Sequence, residues 1–469
     1  MHFANTATRR DFLLSSLSGL AVLRAARAFA RAVEHPNIVF IMVDDMGYED
    51  LGCYGSKTIH TPRIDRMAAE GMRFTQAYSG CTVCAPARST LMTGTHAGHT
   101  PVRGNTGGIP LGANDVTVAD LLRRAGYATG GFGKWGLGDL DTAGVPENHG
   151  FDTFFGYYHQ IHAHYYYPEY LVRNGEKVEL PGNKDGNEKE YTHYRIFEEA
   201  KRFIRANRDR PFFCYCPWTP PHGRYEIPED EPALEQYQDK KWPKDARVIA
   251  AMDTMIDRHV GELLELLKEL DLDEKTIVFF CSDNGAAKRL DGVLDSSGSL
   301  RGEKRSMYEG GIRVPMIVRW PGVVDAGAVS DLPWYFPDVL PTLTDLAGAN
   351  RFVPSGIDGL SVAPTLLGQG EQRRHECLYW EWRLFNWRKK KEDPNGLMQA
   401  VRQDRWKLVR HRQDKPWELY DLSEDKGEQR DLAAAHPDVV ERLTAWIAEN
   451  RTEPRPQIEP PKPEGRSFR

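Results

Sequence analysis

The chain has 469 residues, 40% hydrophobic and 27% charged, with a formal net charge of -6 and seven cysteines. These proportions describe a globular protein and exclude collagen-like, disulfide-scaffold and disordered classes. A net acidic chain lacks the basic footprint of a nucleic-acid binder, and no apolar run reaches the ~20 residues of a membrane-spanning helix, so neither a nucleic-acid partner nor an integral membrane segment is expected.

In chain order, residues 1–30 come first. Thr8-Arg9-Arg10-Asp11-Phe12-Leu13 is a twin-arginine pattern, followed by an apolar stretch over 12–23 and small-residue sites at Ala26, Ala28 and Ala30. That layout predicts a Tat-type signal peptide, with the Tat export machinery as partner and a periplasmic or secreted destination. Loss of residues 1–30 removes four arginines and one aspartate, taking the formal charge from -6 to -9.

Residues 31–372 alternate short apolar runs with helical spacing. Strands are expected over 38–43, 128–132, 211–216, 276–281 and 314–319, and helices over 119–125, 194–205 and 246–270. The pattern predicts an α/β catalytic domain built on a large, mostly parallel sheet with helices on both faces. Residues 373–451 read as a small C-terminal α+β domain, with antiparallel strands over 377–384, 397–401, 406–410 and 418–422 and a helix over 438–449. The basic run 388–391 is expected to be a solvated turn. The proline-rich tail 452–469 is expected to be irregular.

In open α/β sheets, ligands gather beyond the carboxyl ends of the strands. Here one strand runs into Asp44-Asp45, a second into Asp283-Asn284, a third into Lys134, and a fourth is followed by His222. Asp or Asn at a single strand end is often a helix cap or an Asx turn; the joint placement points to a site. Asp44, Asp45, Asp283 and Asn284 make an all-oxygen set, which favours Ca2+, with Mg2+ second, over zinc with its usual His and Cys ligands. In the segment from Cys81 to Gly94, Pro86 is suited to open a helix and Gly94 to close it, placing Cys84 at an anion-favouring N-terminus.

These residues occur together with Thr61-Pro62-Arg63, Gly71-Met72-Arg73-Phe74, Gly133-Lys134-Trp135, Pro220-Pro221-His222, Ser282-Asp283-Asn284-Gly285, Leu300-Arg301-Gly302, and Lys304 leading to Glu309-Gly310-Gly311-Ile312-Arg313-Val314-Pro315. In this order, and over nearly all of the chain after residue 30, the pattern resembles the type I sulfatases of the alkaline-phosphatase-like superfamily. The resemblance implies that Cys84, in a Cys-x-Pro-x-Arg segment, is oxidised to Cα-formylglycine by a formylglycine-generating maturation enzyme. It implies that the hydrated aldehyde is the nucleophile on sulfur, and that Asp44, Asp45, Asp283, Asn284 and the modified Cys84 hold the metal. Arg88 would fix the nucleophile, Lys134 and Lys304 would bind sulfate oxygens, and His222 would protonate the leaving alcohol.

One departure stands out. The family usually reads Lys-Trp-His-Leu-Gly where this chain reads Lys134-Trp135-Gly136-Leu137-Gly138, and the missing histidine is the base usually assigned to sulfate release. His162 and His164, in the aromatic stretch 157–167, are expected to face the substrate pocket; the competing reading is a structural aromatic cluster. The resemblance implies a sulfuric ester hydrolase releasing inorganic sulfate from a sulfated carbohydrate or aryl sulfate ester. The alternatives are a formylglycine-dependent phosphonate or phosphate monoester hydrolase and a non-catalytic binder of sulfated glycans. An odd cysteine count leaves at least one residue outside any internal disulfide, and the resemblance nominates Cys84.

Overall fold

The segment Asn37–Asp44 is buried at every position and apolar from Ile38 to Val43, as a strand covered on both faces must be. It is the centre of a computed structural model that describes residues 35–457 apart from 108, 289, 291, 387, 389 and 390. The expected signal peptide at 1–30 and the end of the tail lie outside the described residues.

The main sheet comprises β1 (Asn37–Asp44), β2 (Met72–Phe74), β3 (Ala128–Lys134), β4 (Thr153–Tyr157), β5 (Tyr170–Arg173), β6 (Glu176–Glu179), β7 (Phe212–Pro221), β8 (Thr276–Ser282), β9 (Met316–Arg319) and β10 (Ala328–Ser330). Their order is β10-β2-β9-β8-β1-β7-β3-β4-β5-β6. The run β8-β1-β7-β3-β4 is parallel, while β9 and β5 add antiparallel neighbours on either side. The parallel centre is the expected one; the short, partly polar edge strands carry too little apolar periodicity to be read from sequence.

Side chains alternate across a strand, so β1 feeds two cores. Ile38, Phe40 and Met42 pack with Leu91, Leu121 and Leu340 from α1 (Cys84–Thr93), α2 (Val118–Arg124) and α5 (Val339–Leu346). Val39, Ile41 and Val43 pack with Phe197 and Leu263 from α3 (Thr192–Ala206) and α4 (Lys244–Glu269). Each such side chain contributes about 1.5–3 kcal/mol on burial, and Ile41→Asp would place a charge where no partner can reach it. Cys214 and Cys216 fall in the same core with sulfurs 3.6 Å apart, and all seven cysteines are free.

The C-terminal sheet is β11 (Leu378–Asn386), β12 (Lys391–Gln403), β13 (Trp406–Arg410) and β14 (Glu418–Asp421), antiparallel in sequential order. One face takes α6 (Pro437–Glu449) through Val439, Leu443 and Ile447. The other, through Trp380, Ala400 and Val409, joins the main core. Residues 451–457 have no regular structure yet are pinned to the body, with Gln457 Oε1 accepting from the Arg103 N–H at 2.8 Å. No helix among the described residues is long and apolar enough to cross a membrane.

Candidate active site

The strand order delivers the chemistry to one edge. Asp44 ends β1, Lys134 ends β3, His222 follows β7, and Asp283-Asn284 follow β8; β8, β1, β7 and β3 are adjacent. The Asp283 N–H extends the ladder onto Val43 O at 2.9 Å. Asp45 turns off the strand in a left-handed conformation, φ 67°, with its N–H 3.3 Å from Asp283 Oδ1.

Cys84 arrives on α1. The helix starts at Cys84 itself, two residues before Pro86 and at the N-terminal position expected for it; Val83 is extended and Asn105 Oδ1 accepts the Ala85 N–H at 3.0 Å. Gly94 closes it in the left-handed region, φ 69°. Arg88 is four residues beyond Cys84 and so on the same helix face. It is fully buried and spans the site, with Nη2 2.8 Å from Asp283 Oδ2 and 3.3 Å from Asp44 Oδ2, and Nη1 donating to Lys134 O at 2.7 Å. Lys304 comes from the long loop after β8, tied down where the Arg305 N–H donates to Thr82 O at 3.1 Å.

The Cys84 sulfur lies 3.3 Å from Asp44 Oδ1 and 3.2 Å from Lys304 Nζ. Lys134 pairs with Asp44 and Lys304 with Asp45, and His222 Nε2 is 3.5 Å from Asp45 Oδ2. Candidate ligand atoms of Asp44, Asp45, Cys84 and His222 lie within 4.8 Å of one another. Three buried carboxylates thus face three buried cations, and mutual pairing offsets a desolvation penalty of several kcal/mol per ion.

Burial pushes the Asp44 carboxyl up, but the charges of Lys134, Arg88 and Lys304 around it outweigh burial and hold it well below its ordinary value. Burial raises Asp45 against the pull of Lys304, and burial together with Asp44 lifts Asp283 to about 6. Burial, Asp283 and Asp44 push the Cys84 thiol up to about 12, so the encoded residue is a neutral thiol. Burial opposes the charge on Lys304, yet Asp45 and the other neighbouring groups carry its pKa upward. Burial drives His222 well below the usual imidazole range, leaving it neutral.

The donor set fits a hard divalent cation. Asn284 Nδ2 donates to Asp45 Oδ1 at 2.6 Å and to Gly285 O at 2.9 Å, which leaves Asn284 Oδ1 buried with no hydrogen-bond partner. An orphaned amide oxygen among three carboxylates is the all-oxygen chemistry of Ca2+ and Mg2+ sites. The carboxylates and cations balance, so a divalent ion would leave the site net positive toward an anionic substrate.

The two histidines of the aromatic stretch are placed differently. His164 packs against His222 with ring centroids 4.5 Å apart. His162 sits between the Tyr157 and Tyr170 rings at 5.1 and 4.6 Å, almost fully buried. Sequence reasoning did not single out Asn105 or Gln160, both amides joined to the N-terminus of α1 through Asn105 Oδ1. Nothing in their spacing marks them, because the contact is made across 55 residues.

The Sulfatase family model matches residues 36–349, and the model for the C-terminal region of N-sulphoglucosamine sulphohydrolase matches 302–453. The chain is 32% identical to arylsulfatase A of Homo sapiens over 92% of this chain and 89% of that protein. It is 34% identical to N-acetylgalactosamine-6-sulfatase of Homo sapiens over 74% of this chain and 69% of that protein. Among solved structures, Ps i-CgsB in complex with k-i-k-neocarrahexaose superposes with a TM-score of 0.75 at 28% identity, covering 89% of this chain and 94% of that one. With strand-end acids, a helix-borne cysteine and buried lysines converging on one point, and matches that run through both sheets, the chain belongs to the sulfatase family and is a sulfuric ester hydrolase.

Proposed function

We propose that the chain releases inorganic sulfate from a sulfated carbohydrate, using a formylglycine derived from Cys84 and a bound divalent cation, Ca2+ ahead of Mg2+, after Tat-dependent export to the periplasm or medium. The observation that carries this reading is the Cys84 sulfur held between Asp44 Oδ1 and Lys304 Nζ at the N-terminus of a fully buried helix. A relative named for a sugar sulfate, N-acetylgalactosamine-6-sulfatase, and a structure bearing a neocarrahexaose support a carbohydrate substrate. So does the aromatic rim beside the site, where Arg224 lies over the Tyr165 ring at 4.2 Å.

Asp44, Asp45, Asp283 and Asn284 would hold the cation. Together, the cation and the formylglycine supply an activated oxygen nucleophile and a route to its regeneration. Arg88, fixed by Asp44, Asp283 and Lys134 O, holds its guanidinium rigidly beside position 84. The Lys134 and Lys304 ammonium groups gain value as negative charge grows on the sulfate oxygens in the transition state. His222, whose Nδ1 is buried without a partner, is the group placed to hand a proton to the departing alcohol, a role it fills as the imidazolium, once the anionic sulfate ester has offset the burial that disfavours its charge.

Mass analysis of the tryptic peptide 74–88 is expected to show the aldehyde and its hydrate in place of the Cys84 thiol. Converted, Ca2+-loaded protein is expected to release sulfate from sulfated mono- or disaccharides faster than from aryl sulfates. It should act on phosphate and phosphonate monoesters more slowly still. An active enzyme with an unmodified thiol at Cys84 would overturn the mechanism, and binding of sulfated glycans without any release would turn the reading toward a non-catalytic binder.

A further inference from the structure

Beside Arg88 the backbone passes through Gly136 at φ 76°, and a Cβ built there would lie 2.7 Å from Gln160 Oε1 and 3.7 Å from Arg88 Cδ. The space a side chain at 136 would enter is therefore taken by Gln160. This glutamine is 3% exposed, and its Oε1 is buried with no hydrogen-bond partner. Its orientation is set by a chain of donors: the Ala85 N–H requires the oxygen of Asn105 at 3.0 Å, and that oxygen in turn requires the nitrogen of Gln160, also at 3.0 Å. The Gln160 oxygen is thereby the end turned toward Gly136, the residue whose Cβ position also borders the Arg88 side chain. A buried acceptor without a donor costs about 1–3 kcal/mol, and a native structure that retains one at the edge of a reaction centre calls for a partner there.

We infer that Gln160 is a positioning residue of the sulfatase reaction, a fixed neutral acceptor that orients a hydroxyl donor beside Arg88 and residue 84 without taking its proton. The donor is either a water or a hydroxyl belonging to the reacting groups. A carboxamide has no basicity near neutral pH, so the base that Gly136 does not supply is not replaced by Gln160. What the chain keeps at this place is orientation alone. The inference rests on the sulfatase reading above.

The test uses the full-length, exported and converted protein with the sulfate ester that wild type cleaves best. Gln160→Ala is expected to lower kcat about tenfold or more, with KM changed less than about twofold, the size of one lost hydrogen bond made in the transition state. Conversion of Cys84 by mass spectrometry and binding of inorganic sulfate by calorimetry should match wild type. Gln160→Glu keeps an oxygen acceptor but can take a proton. It is expected to exceed Gln160→Ala in kcat at neutral pH and to add an ionisation to the kcat–pH profile that neither wild type nor the alanine variant shows. Wild-type kcat in Gln160→Ala, or a loss confined to KM or to Cys84 conversion, would overturn the inference while leaving the sulfatase assignment intact. Absence of sulfate release by wild type would instead remove the reading on which it stands.

Discussion

Lys407 on β13 and Glu309, just beyond the Lys304 loop, form an ion pair 2.8 Å long with both side chains fully shut off from solvent. Glu428 completes the group at 2.9 Å from the same ammonium, and Tyr78 and Arg313 donate to the other Glu309 oxygen at 2.7 and 3.2 Å. The C-terminal sheet is thereby locked to the segment that carries Lys304 into the site, five residues upstream of Glu309.

Lys407→Met leaves two acids buried with no ammonium between them. Breaking a buried pair by removing one partner costs about 3–5 kcal/mol, and that loss is expected in denaturant unfolding. The activity of the folded fraction should fall as well, because the Lys304 loop loses its anchor. A variant with wild-type stability would mean that the pair contributes nothing net.

The same group makes stability depend on pH in two windows. Burial pushes the Glu309 carboxyl up, but Lys407, Arg313 and Arg402 outweigh it and hold it at about 2, below the ordinary 4.5. Its contribution is complete above pH 4.5 and is lost as pH falls toward 2. Burial lifts Glu428 to about 7 in spite of Lys407. Its folded form holds a proton that the unfolded chain has released, so its contribution is greatest below pH 4.5 and disappears as pH rises through 7. Melting temperatures measured across pH should show Glu428→Gln flattening the upper window while the acid limb remains. An unaltered profile above pH 4.5 would refute the assignment.

Chelation is expected to abolish turnover before it unfolds the protein. Asp44 and Asp45 are each paired with a buried lysine, so loss of a cation does not leave them bare. A ligand at a hundredfold over its Kd adds about 2.7 kcal/mol, and the melting temperature should fall accordingly and recover with Ca2+ more fully than with Mg2+. Asn284→Leu removes the orphaned Oδ1 and should weaken calcium affinity in calorimetry; unchanged affinity would exclude Asn284 as a ligand.

The parallel centre of the sheet and its strand-end acids were legible because a strand buried on both faces is a continuous apolar run, as β1 and β8 are. The placement of Cys84 at the start of α1 was legible from Pro86 and Gly94; the hydrogen bond from the Ala85 N–H to Asn105 Oδ1 was not, because its acceptor comes from another segment. The role of Gln160 depends on hydrogen bonds between segments 55 residues apart, a relationship that spacing cannot carry. The two imidazoles of the stretch 157–167 drew attention by residue type, whereas orientation separates them: His164 lies on His222 and His162 lies among tyrosines.

Position 136 allows strain and steric conflict to be measured apart. Gly136 occupies the left-handed region, where an L side chain costs about 1–2 kcal/mol, and the added Cβ would stand 2.7 Å from Gln160 Oε1. Gly136→Ala should therefore lose about 1–3 kcal/mol in chemical denaturation. In Gly136→Ala combined with Gln160→Ala the contact is gone and only the backbone term remains, so the two substitutions should couple favourably by about 0.5–1.5 kcal/mol. Additive losses would show that the Gln160 side chain moves aside freely, and that the packing of its oxygen against position 136 is not what holds it beside Arg88.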